Sequence, residues 1–483
     1  MKFGWVFLGL VACGSDGSSP HDAAPHADTP IDTPVATKIV HGTGTTHYAT
    51  DTGIVDVPID FSHGYKGYGG ATPGTFTGTA DGAFDLEIPE TSAATIQLDA
   101  ATYIITGASA PDLSIASLGR PDGALATTSS TVAISATGLA AWAGTDFLEM
   151  FSTNSDAYAQ GFQESFGTPL AAGATTITNQ TFDWRNSGSP LPVAAKGDVT
   201  WMSQLAPTVA DTFAIVAAGS ANLTVVNGQA AGTPTSFTLA PVTADHSLAL
   251  HWKRLQFAAL GAQASPHAVP VFNEVVVQAE PRVLTAGLEG ASADLLYYTP
   301  ASAATDLDTT LAYGDPYPMT WDPFALVDVE WTVDVKLGTA AATQIYAAYS
   351  DDESVATLTA DGTIVPKIGA PHDVMIGATN VSTATTTTTG VGLTPTVSWS
   401  APTLGTAASY LVVVQEVSSS NNQTTLINRV SFITDLTSIT LPPDVLVHGS
   451  TYVMQVIART GASLRDTPVP SASFGTVTSL FSP

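Results

Sequence analysis

Residues 327–337 read VDVEWTVDVKL, and this stretch decides the fold class of the chain. Apolar side chains occupy every second position, and Asp, Glu, Thr and Lys occupy the positions between them. A period of two places all the apolar groups on one face of a β-strand and all the polar groups on the other. A strand of this kind belongs to a sheet with one face on a core and one face in water, as in antiparallel sandwiches. The stretch therefore predicts an all-β protein.

The length and composition of the chain extend this prediction to several domains. A chain of 483 residues is too long for one hydrophobic core, so we expect about three or four domains. The 41 Gly and 31 Pro residues indicate many short strands joined by turns rather than helix bundles. The predicted fold class is all-β, with several antiparallel β-sandwich domains in series after a disordered N-terminal spacer.

The charge of the chain excludes one class of partner. Only 14 Lys and Arg residues stand against 42 Asp and Glu residues, which gives a net charge of −28. A surface this acidic repels the phosphate backbone, so we expect no nucleic acid as a partner.

The N-terminal part of the chain carries a hairpin signal. Val55, Val57, Ile59 and Phe61 alternate with Asp56, Pro58 and Asp60 and predict a half-buried strand. Residues 79–90, TADGAFDLEIPE, place an Asp-Gly turn before alternating apolar positions, and residues 101–106 predict a closing strand. This pattern resembles the carboxypeptidase regulatory-like domain, a small non-catalytic β-sandwich. The resemblance implies such a domain over residues 38–108.

The middle of the chain, residues 109–366, predicts one or two β-sandwich domains of no family that we recognise. Strand patterns recur in it, at residues 131–135, 212–217, 222–226, 247–251 and 274–279. Two segments, residues 137–153 and 286–300, each place Gly-Leu six or seven residues before an Asp that opens an apolar strand. They suggest two related β-domains, although strings of this kind also arise easily in sequence rich in Ala and Gly.

The C-terminal part, residues 367–483, has a more specific pattern. It contains TVSWSAP (residues 396–402), SYLVVVQEV (residues 409–417) and LVHGSTYVMQVIA (residues 446–458). This resembles a fibronectin type III domain. The resemblance implies that Trp399 packs across the sandwich and that Tyr452, six residues after Leu446, hydrogen-bonds a nearby backbone group as a tyrosine corner. The usual Pro-Gly before the Tyr is replaced by Val447-His448-Gly449, and no Arg-Gly-Asp occurs.

The first 13 residues indicate where the protein is located. Lys2 is followed by an apolar run, residues 3–12, that is too short to span a bilayer but fits a secretory signal. The run ends in Leu-Val-Ala before Cys13, the only cysteine of the chain. This string resembles a bacterial lipobox, which implies that Cys13 is acylated and becomes the new N-terminus. The other interpretation is a buried N-terminal strand with an incidental free thiol.

A flexible spacer follows the predicted lipid anchor. Residues 14–37 begin with GSDGSSPHDAAPHADTPIDTP, which has almost no large apolar groups and cannot offset its ordering entropy. Its two His and nearby Asp residues are compatible with a weak metal site, but a plain linker fits the composition better. Gly14, rather than Asp, follows Cys13, which favours a lipid-anchored protein of the outer membrane.

The sequence contains no motif for catalysis or for a cofactor. HExxH, GxSxG, Walker, GxGxxG and CxxC patterns are absent. His246 and His251 are five positions apart in a predicted strand, so they face opposite sides and do not share a metal. Asp351-Asp352-Glu353 and Asp306-Leu307-Asp308 suit either a calcium loop or a solvated acidic loop. We therefore expect no catalytic, metal or cofactor-binding residue.

Three aromatic clusters leave two interpretations open. Tyr297-Tyr298, YGDPYPMTWDPF (residues 313–324) and HGYKGYGG (residues 63–70) concentrate rings beside Pro, Asp or Gly. Such rings stack on sugars, or they close the end of a sandwich. Together these observations predict a lipid-anchored cell-envelope protein that has a structural, adhesive or ligand-binding role, with a glycan or protein ligand and without catalysis. The alternative is a surface hydrolase or a glycan-directed hydrolase accessory with its site in residues 109–366.

Overall fold

The structure is a computed structural model that describes residues 35–161, 169–209, 211–281, 293–301, 305–382, 386–461 and 471–483. The chain is all-β, as predicted, and its strands form several sandwiches. Two short α-helices are described, both in the third sandwich, and no described helix has the length and hydrophobicity needed to cross a membrane. We group the strands into four units by their pairing, and the third and fourth units share one hydrophobic core.

The first unit is a sandwich of short strands. Its sheets β1–β7–β6 and β4–β8–β9 enclose a core that includes Phe61, Phe84 and Leu86. A small sheet, β10–β2–β3, lies beside them. The strands are β1 (Thr37–Thr43), β2 (Thr45–Thr50), β3 (Gly53–Pro58), β4 (Lys66–Gly69), β5 (Thr72–Pro73), β6 (Thr75–Gly78), β7 (Ala83–Pro89), β8 (Ala94–Gln97), β9 (Thr102–Thr106) and β10 (Ile115–Leu118).

The hairpin predicted in the first unit is confirmed, but one predicted strand is not half-buried. Gly82, with φ +88°, ends the turn between β6 and β7, and the apolar positions of β7 are buried in strict alternation. Val55 and Val57 in β3 are 44% and 36% exposed. The prediction was wrong for these two residues because β3 is the edge of the small sheet, whereas Phe61 is buried in the core of the first unit and Ile59 packs against that core.

The second unit packs sheet β14–β11–β17 on sheet β13–β12–β15–β16, around a core that includes Trp142 and Trp184. Residues 222–226, predicted as a strand, form only an isolated bridge from Thr224 to Val193. The strands are β11 (Thr131–Thr137), β12 (Phe147–Ser152), β13 (Ala157–Gly161), β14 (Thr176–Asp183), β15 (Thr200–Pro207), β16 (Thr212–Ala221), β17 (Thr235–Thr238) and β18 (Ala240–Pro241), with 3-10 helices at Thr153–Ser155, Trp184–Ser187 and Ala194–Lys196.

The third unit contains the strand from which the fold was predicted. In β23, all apolar positions from Val327 to Val335 are buried, whereas Asp334 on the other face is exposed. Helix α1 packs on this strand through Gly261, where a Cβ would lie 2.5 Å from Nε1 of Trp331. The elements are β19 (His246–Trp252), α1 (Arg254–Ala264), β20 (Val269–Pro281), β21 (Ala293–Tyr298), β22 (Leu307–Tyr313), β23 (Trp321–Val335), β24 (Thr343–Ser354), α2 (Val355–Asp361) and β25 (Thr363–Ile364).

The fourth unit is a fibronectin-like sandwich. Sheet β27–β26–β29–β32 faces sheet β31–β30–β33–β34. The buried Trp399 ring packs edge-on against Tyr410 at 5.3 Å, and the Tyr452 hydroxyl accepts a hydrogen bond of 2.9 Å from the Val447 amide, which confirms the predicted corner. The strands are β26 (His372–Ile376), β27 (Thr379–Asn380), β28 (Thr388–Thr389), β29 (Thr396–Ser400), β30 (Ser409–Ser420), β31 (Gln423–Thr434), β32 (Ser438–Thr440), β33 (Thr451–Arg459), β34 (Ser471–Val477) and β35 (Phe481–Ser482).

The second and third units share one strand topology. The second unit has four antiparallel pairs, which are β11–β14, β12–β13, β12–β15 and β15–β16, and one parallel pair, β11–β17. The third unit repeats these five pairs in the same order and with the same directions, as β19–β22, β20–β21, β20–β23, β23–β24 and β19–β25. The two sequence segments that suggested two related β-domains, residues 137–153 and 286–300, do not occupy equivalent positions in this topology. Residues 137–153 include β12, whose counterpart is β20, whereas the described part of residues 286–300 includes β21.

One sheet runs through all four units because their edge strands pair. Strand β16 of the second unit pairs with β21 of the third, β24 of the third pairs with β34 of the fourth, and β31 of the fourth pairs in parallel with β9 of the first. The first unit also contacts the second, since the Thr153 hydroxyl donates to Asp51 Oδ1. Each unit therefore contacts the next, and the last contacts the first. The domain boundaries at 38, 109 and 367 stay predictions.

We expect the tyrosine corner to contribute to the stability of the fourth unit. Tyr452→Phe removes the acceptor of the Val447 amide, which should lower the free energy of unfolding by about 1 kcal/mol. Hydrogen exchange of the β30 and β33 amides in increasing urea measures this unit separately. The control Tyr48→Phe, in the first unit, should leave their protection unchanged, and an equal effect of both changes would contradict a specific role for the corner.

We also expect the first and fourth units to unfold together. Tyr103 in β9 packs against Phe432 in β31, with ring centroids 5.3 Å apart. Tyr103→Ala leaves a cavity at this contact and should cost about 3 kcal/mol, so amide protection should fall in both β8–β9 and β30–β31. Phe182→Ala, which removes a ring from the core of the second unit, should leave β30–β31 protected. Unchanged exchange of β30–β31 in the Tyr103 variant would show that the two units are energetically independent.

Candidate functional site

The lipidation residue predicted from sequence, Cys13, lies outside the described residues, as do residues 14–34 of the predicted linker with their two histidines. The structure therefore leaves the lipid anchor a prediction.

The acidic motifs are not arranged as calcium loops. Asp351, Asp352 and Glu353 are buried in strand β24 rather than exposed on a loop. Asp306 accepts from the Leu255 amide at 3.2 Å, and Asp308 pairs with His251 at 2.6 Å. Within the described ranges, no group of three or more His, Cys, Asp or Glu side chains is placed to hold a metal ion.

The two histidines of β19 have different surroundings, in agreement with their predicted orientation. The His251 ring pairs with Asp308, and the His246 ring stacks on Tyr313 with centroids 5.4 Å apart. They do not converge on one ion.

The aromatic run at residues 313–324 packs between the second and third units. Tyr317 and Trp321 stack on each other at 5.2 Å, and both rings contact Phe151 and Trp201 of the second unit. The two rings are each only 7% exposed, whereas Met319 between them is 96% exposed. Of the two interpretations of this run, the structure favours closure of a sandwich face, because the ring faces are occupied by other rings.

Tyrosines and carboxylates converge at the same seam between the second and third units. The Tyr158 hydroxyl donates to Glu149 Oε1 at 2.8 Å, and the Tyr297 hydroxyl and the Gln278 amide both donate to Asp294. Glu149 and Asp294 are fully buried. Burial, together with these two carboxylates, raises the pKa of the Tyr158 and Tyr297 hydroxyls well above the usual range.

This acid–tyrosine cluster ties strands β12, β13, β20 and β21 together. Hydrogen bonds of this kind satisfy polar groups that would otherwise destabilise a dry interface. Because the carboxylates are fully buried, a substrate in solution does not reach them in this arrangement, and the cluster joins two units. Sequence reasoning missed it, although each carboxylate stood out as an acid within an apolar strand, FLEMFS in β12 and ADLLYY in β21.

A buried ion pair holds the seam between the first and second units. Asp198, whose side chain is fully buried, accepts from Arg120 Nε at 3.2 Å, from Asn154 Nδ2 at 2.9 Å and from the Val193 amide at 2.6 Å. On the exposed side of Arg120, Asp122 accepts hydrogen bonds from Lys196 and Arg120, which lower its pKa to about 2. The Arg120 amide also donates to the Asn154 carbonyl at 2.9 Å, so side chain and backbone fix one geometry.

Two grooves open at the seam between the first and fourth units. One, of about 230 Å³, is lined by hydroxyls and small apolar groups and carries no charged side chain: Gly70, Thr91, Ser92, Ala93, Thr95, Ile105, Ser438, Ile439 and Thr440. The other, of about 190 Å³, combines Arg429 and Asp444 with Tyr103 and an apolar wall. Burial raises the pKa of the Tyr103 hydroxyl to about 12, so this hydroxyl is protonated near neutral pH. Both grooves are smaller than a typical small-molecule pocket, which has a volume of roughly 300–1,000 Å³.

Comparisons with known proteins do not identify the chain. No protein-family model matches it, and no curated protein matches it. Among solved structures, one match is the crystal structure of chicken CNTN1 FN1-FN3 domains, with 9% sequence identity and a TM-score of 0.11. The match covers 75% of this chain and 98% of that chain. That score is too low to carry an argument, so the fibronectin-like character of the fourth unit is seen in its own strand pairing.

Removal of Asp198 should destabilise the seam between the first and second units. Asp198→Ala leaves Arg120, whose side chain is only 9% exposed, without its buried partner, and such a loss costs about 3–5 kcal/mol. Urea unfolding measures the change. Asp122→Ala is the matched control, because its side chain is 60% exposed and an exposed pair contributes less than about 1 kcal/mol. Equal losses in the two variants would contradict a dominant role for the buried pair.

Proposed function

We propose that the protein is a lipid-anchored cell-envelope protein that presents binding surfaces and does not catalyse a reaction. The lipobox-like string before Cys13 and the spacer after it support the anchor. The observation that carries the binding role is the pairing of edge strands between all four units, because it makes one block whose surfaces hold fixed relative positions. The acyl groups on Cys13 and a flexible spacer would then tether this block at the outer membrane.

The distribution of titratable groups supports a role without catalysis. An active site needs acids, bases or nucleophiles that converge in a cleft open to substrate. In the described part of the chain, the convergent groups lie in buried seams, and the two grooves hold mostly hydroxyls and apolar side chains. The proposed ligand is a glycan or another protein at the cell envelope, and several weak contacts hold it.

Two family relationships belong to this proposal. The first unit is proposed to be related to carboxypeptidase regulatory-like domains, on the basis of its hairpin and closing strand. The fourth unit is proposed to be a member of the fibronectin type III family, and the Trp399 packing and the Tyr452 corner support this. The first of these two families carries no catalytic residue of its own.

One observation favours the alternative, a surface hydrolase or a glycan-directed hydrolase accessory. Glu149 and Asp294 both lie within residues 109–366, and both belong to the acid–tyrosine cluster. If the second and third units separated, the two carboxylates would be exposed to substrate. Release of sugar from cell-envelope glycan by the purified protein, lost in Glu149→Gln with the fold intact, would establish this alternative over the binding role.

The lipid anchor is tested by Cys13→Ser. Because the thiol is the only attachment atom of the predicted anchor, the variant should move from the membrane fraction to the soluble fraction. Intact mass of the membrane-extracted wild type should match a chain that begins at Cys13 and carries acyl groups. Ser18→Ala, in the adjacent spacer, is the control and should stay in the membrane fraction. A Cys13→Ser protein that stays with the membrane would show that the anchor is elsewhere.

The binding role is tested by glycan arrays and by cell-surface binding of the full chain. Binding to a defined set of glycans or to whole cells without turnover supports the proposal. Turnover of a bound glycan supports the hydrolase alternative.

A further inference from the structure

A lysine and two buried acids meet where the third unit continues into the fourth. Lys367 lies between β25 and β26, and its Nζ donates to Asp351 Oδ1 at 2.9 Å and also contacts Glu353 Oε1. The side chains of Asp351 and Glu353 are 2% and 12% exposed, whereas that of Lys367 is 35% exposed. One amine therefore touches two carboxyl groups that are largely withdrawn from water.

The backbone holds these groups firmly in place. Asp351 lies in β24, paired on one side with Val327 of β23 and on the other with Ala472 of β34. The Lys367 amide donates to the Tyr349 hydroxyl at 2.9 Å, and the Tyr349 ring is fully buried against Phe257 and Phe474. In well-oriented intramolecular reactions, effective concentrations reach about 10⁵–10⁸ M.

We propose that Lys367 and Asp351 become joined by an amide bond between Lys367 Nζ and Asp351 Cγ, formed within the folded chain. The carboxyl of Asp351 is the electrophile, because it is the more deeply buried of the two acids. Glu353 is the proton acceptor, because it contacts the same nitrogen. The result is a covalent cross-link that no sequence motif indicated.

The atoms and charges of this reaction balance without another reactant. Glu353 accepts a proton from the Lys367 ammonium, and the neutral amine then attacks Cγ of the protonated Asp351. The new C–N bond forms as the C–O bond to the hydroxyl breaks, and the hydroxyl leaves as water with a proton from the nitrogen. One proton remains on Glu353. The net charge of Lys367, Asp351 and Glu353 together is therefore zero both before and after the reaction.

The environment of Asp351 favours the reactive form. Burial raises the pKa of Asp351 to about 6, although the neighbouring Lys367 acts in the opposite direction. A protonated acid is the better electrophile for an amine, and it is more populated here than in an exposed aspartate.

The cross-link would protect the connection between the third and fourth units. The segment between residues 351 and 367 contains α2 and β25, so an amide bond closes it into a loop. A force applied to the fourth unit would then be transmitted directly into β24, and α2 and β25 would not be extended. This role is independent of the ligand of the protein.

Mass spectrometry of the full chain tests the proposal. Wild-type protein, fresh and after incubation at near-neutral pH, is digested and searched for a branched peptide that joins residues 351 and 367 and is lighter by one water. Its intact mass is compared with that of Lys367→Arg, which keeps the positive charge but cannot form this amide. The water loss should be present in the wild type and absent in the variant, and N-terminal processing cancels in the comparison.

Two further variants distinguish the chemistry from general disruption. Lys336→Arg changes an exposed lysine after β23 and should retain the full water loss. Glu353→Gln removes the proton acceptor and should slow formation of the cross-link by about 100-fold. A wild type without water loss, fresh or incubated, shows an ion pair only and overturns the proposal, as does a water loss that persists in Lys367→Arg.

Discussion

Pairing of edge strands is the interaction on which the rest of this structure depends. A sandwich leaves unpaired amides and carbonyls along the outer strands of each sheet, and these groups invite association with other chains. Here β16, β21, β24, β34, β31 and β9 satisfy one another across three seams. The same hydrogen bonds protect the edges and fix how each unit is oriented relative to its neighbour, and one hydrophobic core continues through the third and fourth units.

The seams also explain where the charged and polar groups of this acidic chain are found. The Arg120–Asp198 pair lies between the first and second units, the acid–tyrosine cluster between the second and third, and Lys367 with Asp351 and Glu353 between the third and fourth. Buried polar groups need directional partners, so they specify one arrangement of two surfaces more strictly than apolar contacts do. Buried charged side chains are often found in active sites, but in this protein they lie at the contacts between units.

In the proposed role, this block presents binding surfaces to a ligand. The lipid, if attached at Cys13, would provide position, and the spacer would provide reach, while the paired edges keep the binding surfaces at constant separation. Weak contacts at several fixed points add to a stronger overall attachment when their geometry matches that of the ligand. The two grooves between the first and fourth units exist only because β9 pairs with β31, so the fold itself creates them.

The sequence by itself determined the fold class, because a period of two in VDVEWTVDVKL leaves no other way to bury one face. It also determined the β6–β7 hairpin, through the Asp81-Gly82 turn, and the corner of Tyr452, since these depend on residues close together in the chain. It could not determine the exposure of Val55 and Val57, the matching topologies of the second and third units, or the seams. These depend on which edges meet, and residues such as Glu149 and Asp294 lie far apart in sequence. Only the tertiary structure decides such encounters, because local patterns specify which face of a strand is buried but not what covers it.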